Sequence, residues 1–170
     1  MMQTPAQQAL EKIAGLLLTK TTRNEQVQYF HFGNTHYTTS QGLVLDVGAY
    51  VLAVNCPWEL HQANGETIKY SEVFLRKRET GLPTVKFDWK EPGANLRDQR
   101  LKELLKEGAA LVAEKTEVLD NNGFILHFAN STQLIITPDA ATSQEMDWQL
   151  FSNTGDNYSF IVGANGIVNS

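Results

Sequence analysis

The sequence predicts an α+β fold: antiparallel β strands in two pseudo-repeated halves, each a helix plus hairpins, with the two helices packed on one face of the sheet. Three observations carry that expectation. Residues 4–18 and 95–108 place apolar side chains at helical spacing. Much of the remaining chain breaks into short apolar runs separated by Gly, Asn and Pro, the punctuation of antiparallel strands. The pattern of residues 42–60 also recurs in residues 123–150.

A chain of 170 residues suits one domain, residues 1–170, and can bury a substantial core. With 42% hydrophobic and 19% charged residues it has the balance of a soluble globular protein rather than a disordered one. A net charge of −5 argues against nucleic acid and anionic membrane as partners, because both need a cationic footprint. The lone Cys56 excludes a disulfide framework within the chain and a multi-thiolate metal site, and it suits a reducing cytoplasm. The first residues carry no basic leader and no apolar run approaches the roughly 18 residues of a membrane span, so a cytoplasmic location is expected.

Thr4 and Pro5 open the first helix, a hydroxyl to cap free N–H groups and a proline where no donor is needed. Leu10, Ile13, Ala14 and Leu17 give it an apolar stripe, and it is expected to run to about Leu18. Residues 19–22, rich in β-branched threonine, stop it, and Arg23, Asn24 and Glu25 read as a polar connection. Residues 27–32 form a strand, Gly33 and Asn34 a tight turn, and residues 36–39 a return strand. Leu43, Leu45 and Val47 then alternate, Gly48 and Ala49 turn, and residues 50–54 return as the first apolar hairpin. Pro57 interrupts it, because proline donates nothing to a ladder.

Residues 58–61 resume as a strand, Asn64 and Gly65 turn, and residues 67–75 form its partner. The stretch 79–94 is punctuated by Gly81, Pro83, Pro92 and Gly93, with residues 85–89 as an edge strand or an ordered loop. Asn95 is the N-cap of the second helix, whose faces are set by Leu96, Leu101, Leu104 and Leu105 and which Gly108 ends. Residues 111–119 are a strand, residues 120–123 a turn, and a second apolar hairpin follows from Gly123.

Gly42 and Gly123 lie 81 residues apart, as do Leu45 and Leu126, and Pro57 and Pro138. Trp58 and Trp148 lie 90 apart, as do Leu60 and Leu150, and Gly65 and Gly155. A nine-residue insertion, residues 139–147, accounts for the change. Any two hairpins share alternating apolar residues and turn glycines; two constant offsets anchored by proline and tryptophan tip the reading toward an internal duplication of residues 4–75 and 95–168.

The four histidines, His31, His36, His61 and His127, show no short ligand spacing, so no metal is expected. Cys56 beside Pro57 lacks a visible base and reads as packing rather than as a nucleophile. No nucleophile elbow, P-loop or dinucleotide fingerprint occurs, and no cofactor is implied. Lys69, Arg76, Lys77 and Arg78 beside Tyr70, Phe74 and Trp89 loosely suggest a nucleic-acid surface, but a solvated strand end is the heavier reading. The most suggestive surface is acidic: Asp139, Glu145 and Asp147 in the insertion and Asp156 in the next turn. A tolerated insertion without a role weighs against it.

The segments at residues 50–60, with Cys56, Pro57 and Trp58, at residues 134–139, and at residues 148–151 resemble a family of uncharacterised bacterial proteins. In that family a strand ending Cys-Pro-Trp-Arg-Ile precedes a later Pro-Asp and a Trp-Arg-Leu-Phe. Residues 87–105 are also similar, so the likeness spans most of the chain. Glu59 and Gln149 stand where the family has arginine, which removes any paired cationic site. The resemblance implies no assigned activity.

The first expectation is a non-enzymatic cytoplasmic binding or interaction protein with a protein partner, of the immunity type, presenting the acidic face of Asp139, Glu145, Asp147 and Asp156. The alternative is a hydrolase or small-ligand enzyme with a site assembled from His61, His127, Asp46 and Glu59. Oligomeric state and strand order are not legible at this level.

Overall fold

The computed structural model describes residues 4–75, 88–106, 111–142, 145–164 and 166–169. In chain order its elements are α1 (Pro5–Leu10), β1 (Leu18–Asn24), β2 (Val27–Phe32), β3 (Thr35–Thr38), β4 (Val44–Val47), β5 (Tyr50–Val54), β6 (Trp58–His61), β7 (Thr67–Lys69), α2 (Leu96–Lys106), β8 (Ala113–Val118), β9 (Phe124–Phe128), β10 (Gln133–Ile136), β11 (Trp148–Ser152), β12 (Ser159–Gly163) and β13 (Gly166–Asn169). Short 3-10 turns occupy Glu11–Ile13, Tyr70–Phe74 and Ala140–Thr142. The architecture is α+β and mostly β, with two short helices.

Several elements form for the reasons visible in the sequence. Thr4 Oγ1 accepts the Gln7 N–H and starts α1; Asn95 Oδ1 accepts the Asp98 N–H and starts α2. The expected helix end at Gly108 lies outside the described residues, as do the basic run 76–78 and most of the ambiguous segment 85–89. Other elements differ. Helix α1 stops short of Leu18, because Gly15 adopts φ +83° and the following residues bond across to residues 111–113. The expected polar connection is part of β1, whose threonines suit a pleated strand, and the turn is confined to Glu25 and Gln26. The strand expected over residues 67–75 ends at Lys69, where the Glu72 carboxylate accepts the Lys69 N–H and folds the chain into a 3-10 turn.

All strand pairings among the described residues are antiparallel. One sheet runs β1-β2-β5-β11-β12-β13, a second runs β7-β6-β10-β9-β8, and β3 pairs with β4 alone. The apolar hairpin expected from residues 42–54 therefore does not form. Strand β4 pairs with β3 in a separate two-stranded arm, while β5 pairs with β2 and β11. Gly48 makes the redirection possible, because a side chain there would collide with His31. Leu45, set against the buried Leu126 by the 81-residue offset, is exposed on the arm. Gly42 turns at φ +83° in open space, whereas a Cβ on Gly123 would overlap the Ile136 carbonyl, so these two glycines have different roles.

The inner faces of the two large sheets meet in one cluster of buried side chains. Phe30 of β2 meets Trp58 of β6 edge-on at 5.3 Å, and Phe124 of β9 meets Trp148 of β11 at 4.8 Å. Both tryptophans are buried, as core anchors should be. Helix α1 packs against β8, and α2 packs against β1 and β7.

Candidate functional site

The four acidic residues lie in different settings. Asp139 and Glu145 are exposed, and the Asp139 carboxylate accepts the Ala141 N–H of a 3-10 turn. Asp147 is buried, and its backbone is pinned by Asn55 N–H and Val162 C=O. Asp156 occupies the turn at the far end of β11, with Ser152 and Tyr158, and its carboxylate accepts the Tyr158 N–H. That hydrogen bond and one from Ser152 hold its pKa below the usual carboxylate value. The five residues of β11, on the order of 16 Å, separate Asp147 from Asp156.

The alternative set is brought together in part. His61, Glu59 and His127 lie on the solvent face of the five-stranded sheet, with Gln133 between the two histidines in register. His61 Nε2 lies 3.4 Å from Glu59 Oε2, and His127 Nε2 lies 3.6 Å from Glu117 Oε2. Asp46 is elsewhere, on the β3–β4 arm, 2.8 Å from His36 Nδ1. Among the described residues no group of three His, Cys, Asp or Glu is placed to hold a metal ion. Cys56 is buried, and burial followed by the Asp147 charge pushes its thiol up to about 12, so it is not a ready nucleophile.

Neither set lines the two clefts that border β1 and β8. The two strands begin side by side: Leu17 bridges Val112, Leu18 N–H donates to Leu111 C=O and Ala113 N–H to Leu16 C=O. Each strand then carries a bulge, between Leu18 and Lys20 in β1 and between Ala113 and Lys115 in β8. Bulges bend a strand and increase its twist, so β1 and β8 diverge immediately after meeting. Each then runs beside the helix of the other half, α2 beside β1 and α1 beside β8, and a cleft lies along each edge.

The β1–α2 cleft has a volume of about 750 Å³, within the usual range for ligand sites, and the α1–β8 cleft about 400 Å³. Lys20, Thr21, Thr22, Arg23 and Asn24 all line the larger one. Side chains alternate across a strand, so consecutive lining residues mean that the strand's edge borders the cleft. Among the described residues β1 ends its sheet, and an antiparallel ladder turns every second N–H and C=O of an edge strand away from its neighbour. The opposite wall is a helical stripe at i, i+4 and i+7: Asp98, Lys102 and Leu105.

The cleft's base is rigid. Arg23 Nε lies 2.7 and 2.8 Å from the two Asp98 oxygens, and its other nitrogens donate to the Glu25, Trp89 and Glu91 carbonyls. Asp98 also accepts from Gly93 N–H and Asn95 Nδ2. Beneath it the fully buried Arg97 donates to the Tyr70 and Gln26 carbonyls and stacks on Trp58 and Tyr70, and burial lowers its pKa to about 10.

With Arg23 neutralised by Asp98 and Lys90 by Glu25, the cleft's excess charge is that of Lys20 and Lys102. Lys20 Nζ donates to a carbonyl, that of Asp46, and Lys102 has no acidic partner among the described residues. The smaller cleft instead carries Glu11, Glu114 and Lys115. Gln28, also lining the larger cleft, donates Nε2 to Thr22 C=O, while its buried Oε1 accepts no hydrogen bond.

Sequence reasoning missed this site because its walls come from residues 20–28, 90–98 and 102–105. The usable signals were the alternation of lysine and arginine with threonine in residues 19–23 and the Asp98, Lys102, Leu105 spacing beside the apolar stripe. Comparison with protein-family models, curated proteins and solved structures gives no match to this chain.

Proposed function

We propose that the protein is a non-enzymatic binding protein and that its site is the β1–α2 cleft. The observation that carries the proposal is the edge of β1, unpaired beyond Leu18 among the described residues, bordering a cleft with two lysines that have no acidic partner among those residues, in a chain of net charge −5. A rigid base, an unsatisfied edge and a local charge opposite to that of the whole are features of recognition. Support for a non-enzymatic role comes from the elevated Cys56 thiol and from Asp46 lying on the β3–β4 arm beside His36, apart from His61 and His127. The acidic face supports binding less, since Asp147 is buried and Asp156 lies at the other end of β11.

The strand orders also support an internal duplication. Outward from the Leu17–Val112 bridge, one sheet reads β1-β2-β5-β11-β12-β13 and the other β8-β9-β10-β6-β7, so in each three strands of one half are followed by strands of the other, with β13 an extra strand that has no counterpart in the second sheet. The clefts then occupy corresponding places but differ in charge and volume, which supports a distinct role for the larger one.

A photo-crosslinking residue placed at Thr21, Lys102, Glu114 or Ile125 of the full chain in its native cells tests the assignment. Adducts at Thr21 and Lys102 are expected in clear excess over the smaller cleft at Glu114 and the sheet face at Ile125. Equal yields at all four positions, or none at any, would overturn it.

A further inference from the structure

The ligand chemistry follows from what the cleft leaves unsatisfied, and this step rests on the reading of the cleft as the binding site. The edge of β1 presents N–H donors and C=O acceptors in alternation. A phosphate or a carboxylate offers acceptors and answers only the donors. Gln28 adds a second, independent need of the same kind: it is 2% exposed, its Oε1 lacks a donor, and it lines the cleft. A buried acceptor left without a donor costs about 1–3 kcal/mol. An extended polypeptide supplies donors and acceptors in the alternation that an open strand edge requires.

Charge selects among polypeptides. Lys20 stands on β1 and Lys102 on the facing helix, so an added strand would run between two cations. The α1–β8 cleft also borders consecutive strand residues, Glu114, Lys115 and Thr116, but brings Glu11 and Glu114 against one lysine. It lacks a pair of lysines facing each other across the cleft and serves as an internal control.

We infer that the cleft takes an acidic, extended segment of a partner protein, which adds to β1 as an antiparallel strand with carboxylates toward Lys20 and Lys102. The partner segment therefore alternates acidic residues with residues of high β propensity. It completes the edge of the six-stranded sheet.

Selection of random displayed peptides on the full chain, in parallel with a Lys20→Glu/Lys102→Glu variant, tests this. Wild-type selections should enrich acidic sequences, and these should bind the variant about tenfold or more weakly while its unfolding transition stays intact. Bound peptide should slow amide exchange at alternate residues of β1. N-methylation of one alternate set of peptide amides should abolish binding, while methylation of the other set leaves it.

Selected peptides without acidic enrichment, indifference to both methylated sets, or equal β1 protection by inorganic phosphate or citrate would each overturn strand addition. If Thr21 and Lys102 still crosslink in cells under any of those outcomes, the cleft stands as the site and only the ligand class falls. If no probe reaches the cleft and no crosslink forms there, both fall.

Discussion

His31 shows how a single side chain can couple the fold to pH. Its Nδ1 accepts the Gly48 N–H at 3.3 Å, which leaves Nε2 protonated and 2.9 Å from Thr22 Oγ1, a neutral ring held between two partners. Burial, reinforced by the nearby Lys20 charge, lowers its pKa to about 4. Between about 4 and the ordinary 6.5 the unfolded chain binds a proton that the folded chain refuses, so stability rises with pH across that window and is lost as pH falls through it. The slope from this one group is at most about 1.4 kcal/mol per pH unit. Urea denaturation at several pH values, compared between wild type and His31→Gln, isolates the effect because the remaining titrations cancel in the difference. The wild type should lose more stability on acidification. Parallel curves would refute the assignment.

At the scale of elements, the β3–β4 arm is a part of the chain that the core does not hold. Tyr37 at 53% exposure, Leu43 at 59%, Val44 at 63% and Leu45 at 46% stand in solvent, whereas Phe32 and Val51 beside its base are buried. Phe32 and Tyr50 already face each other in the β2–β5 ladder, so the chain could close there without the arm. Replacing residues 34–47 with Asn-Gly, keeping Gly33 and Gly48, should leave the unfolding free energy within about 1 kcal/mol of wild type, because shortening an exposed loop costs little. A loss of cooperative unfolding would show instead that the arm is part of the core.

The arm also marks how far the sequence could be read. Helix α2 and strands β2, β6, β9 and β10 were legible because capping, alternation and turn residues act over a few positions. The partner of β5 was not. Leu43, Leu45 and Val47 alternate as well as any core strand, and nothing local distinguishes a strand that pairs with its neighbour from one that folds away at Gly48. The cleft was illegible for a related reason: an open strand edge is a property of the backbone, set by bulges at Leu18 and Ala113 that residue type does not announce.

At the scale of the whole molecule, strands from the first and second halves of the chain pair with one another in both large sheets. Strand β5 of the first half has β11 of the second as its neighbour, and β6 has β10. Val51, Leu52, Ala53 and Val54 are all buried, so β5 is covered on both faces as well as paired along both edges. Removing the second half would strip the β5 edge facing β11, uncover Trp58 and leave β6 and β7 as an isolated pair, which is marginal in water. Removing the first half would leave β8, β9 and β10 without β6, and β11 without β5. Each fragment would expose apolar strand edges and bury too little to offset its chain entropy. Cutting the chain between Leu75 and Asp88 should therefore give two pieces that show no cooperative thermal transition alone. Mixed, they should regain native β circular dichroism and one transition, since the pairings between the halves are available again. A dispersed amide spectrum and cooperative melting from either fragment alone would mean that a half can build its own core, and that pairing between the halves is not what holds the molecule together.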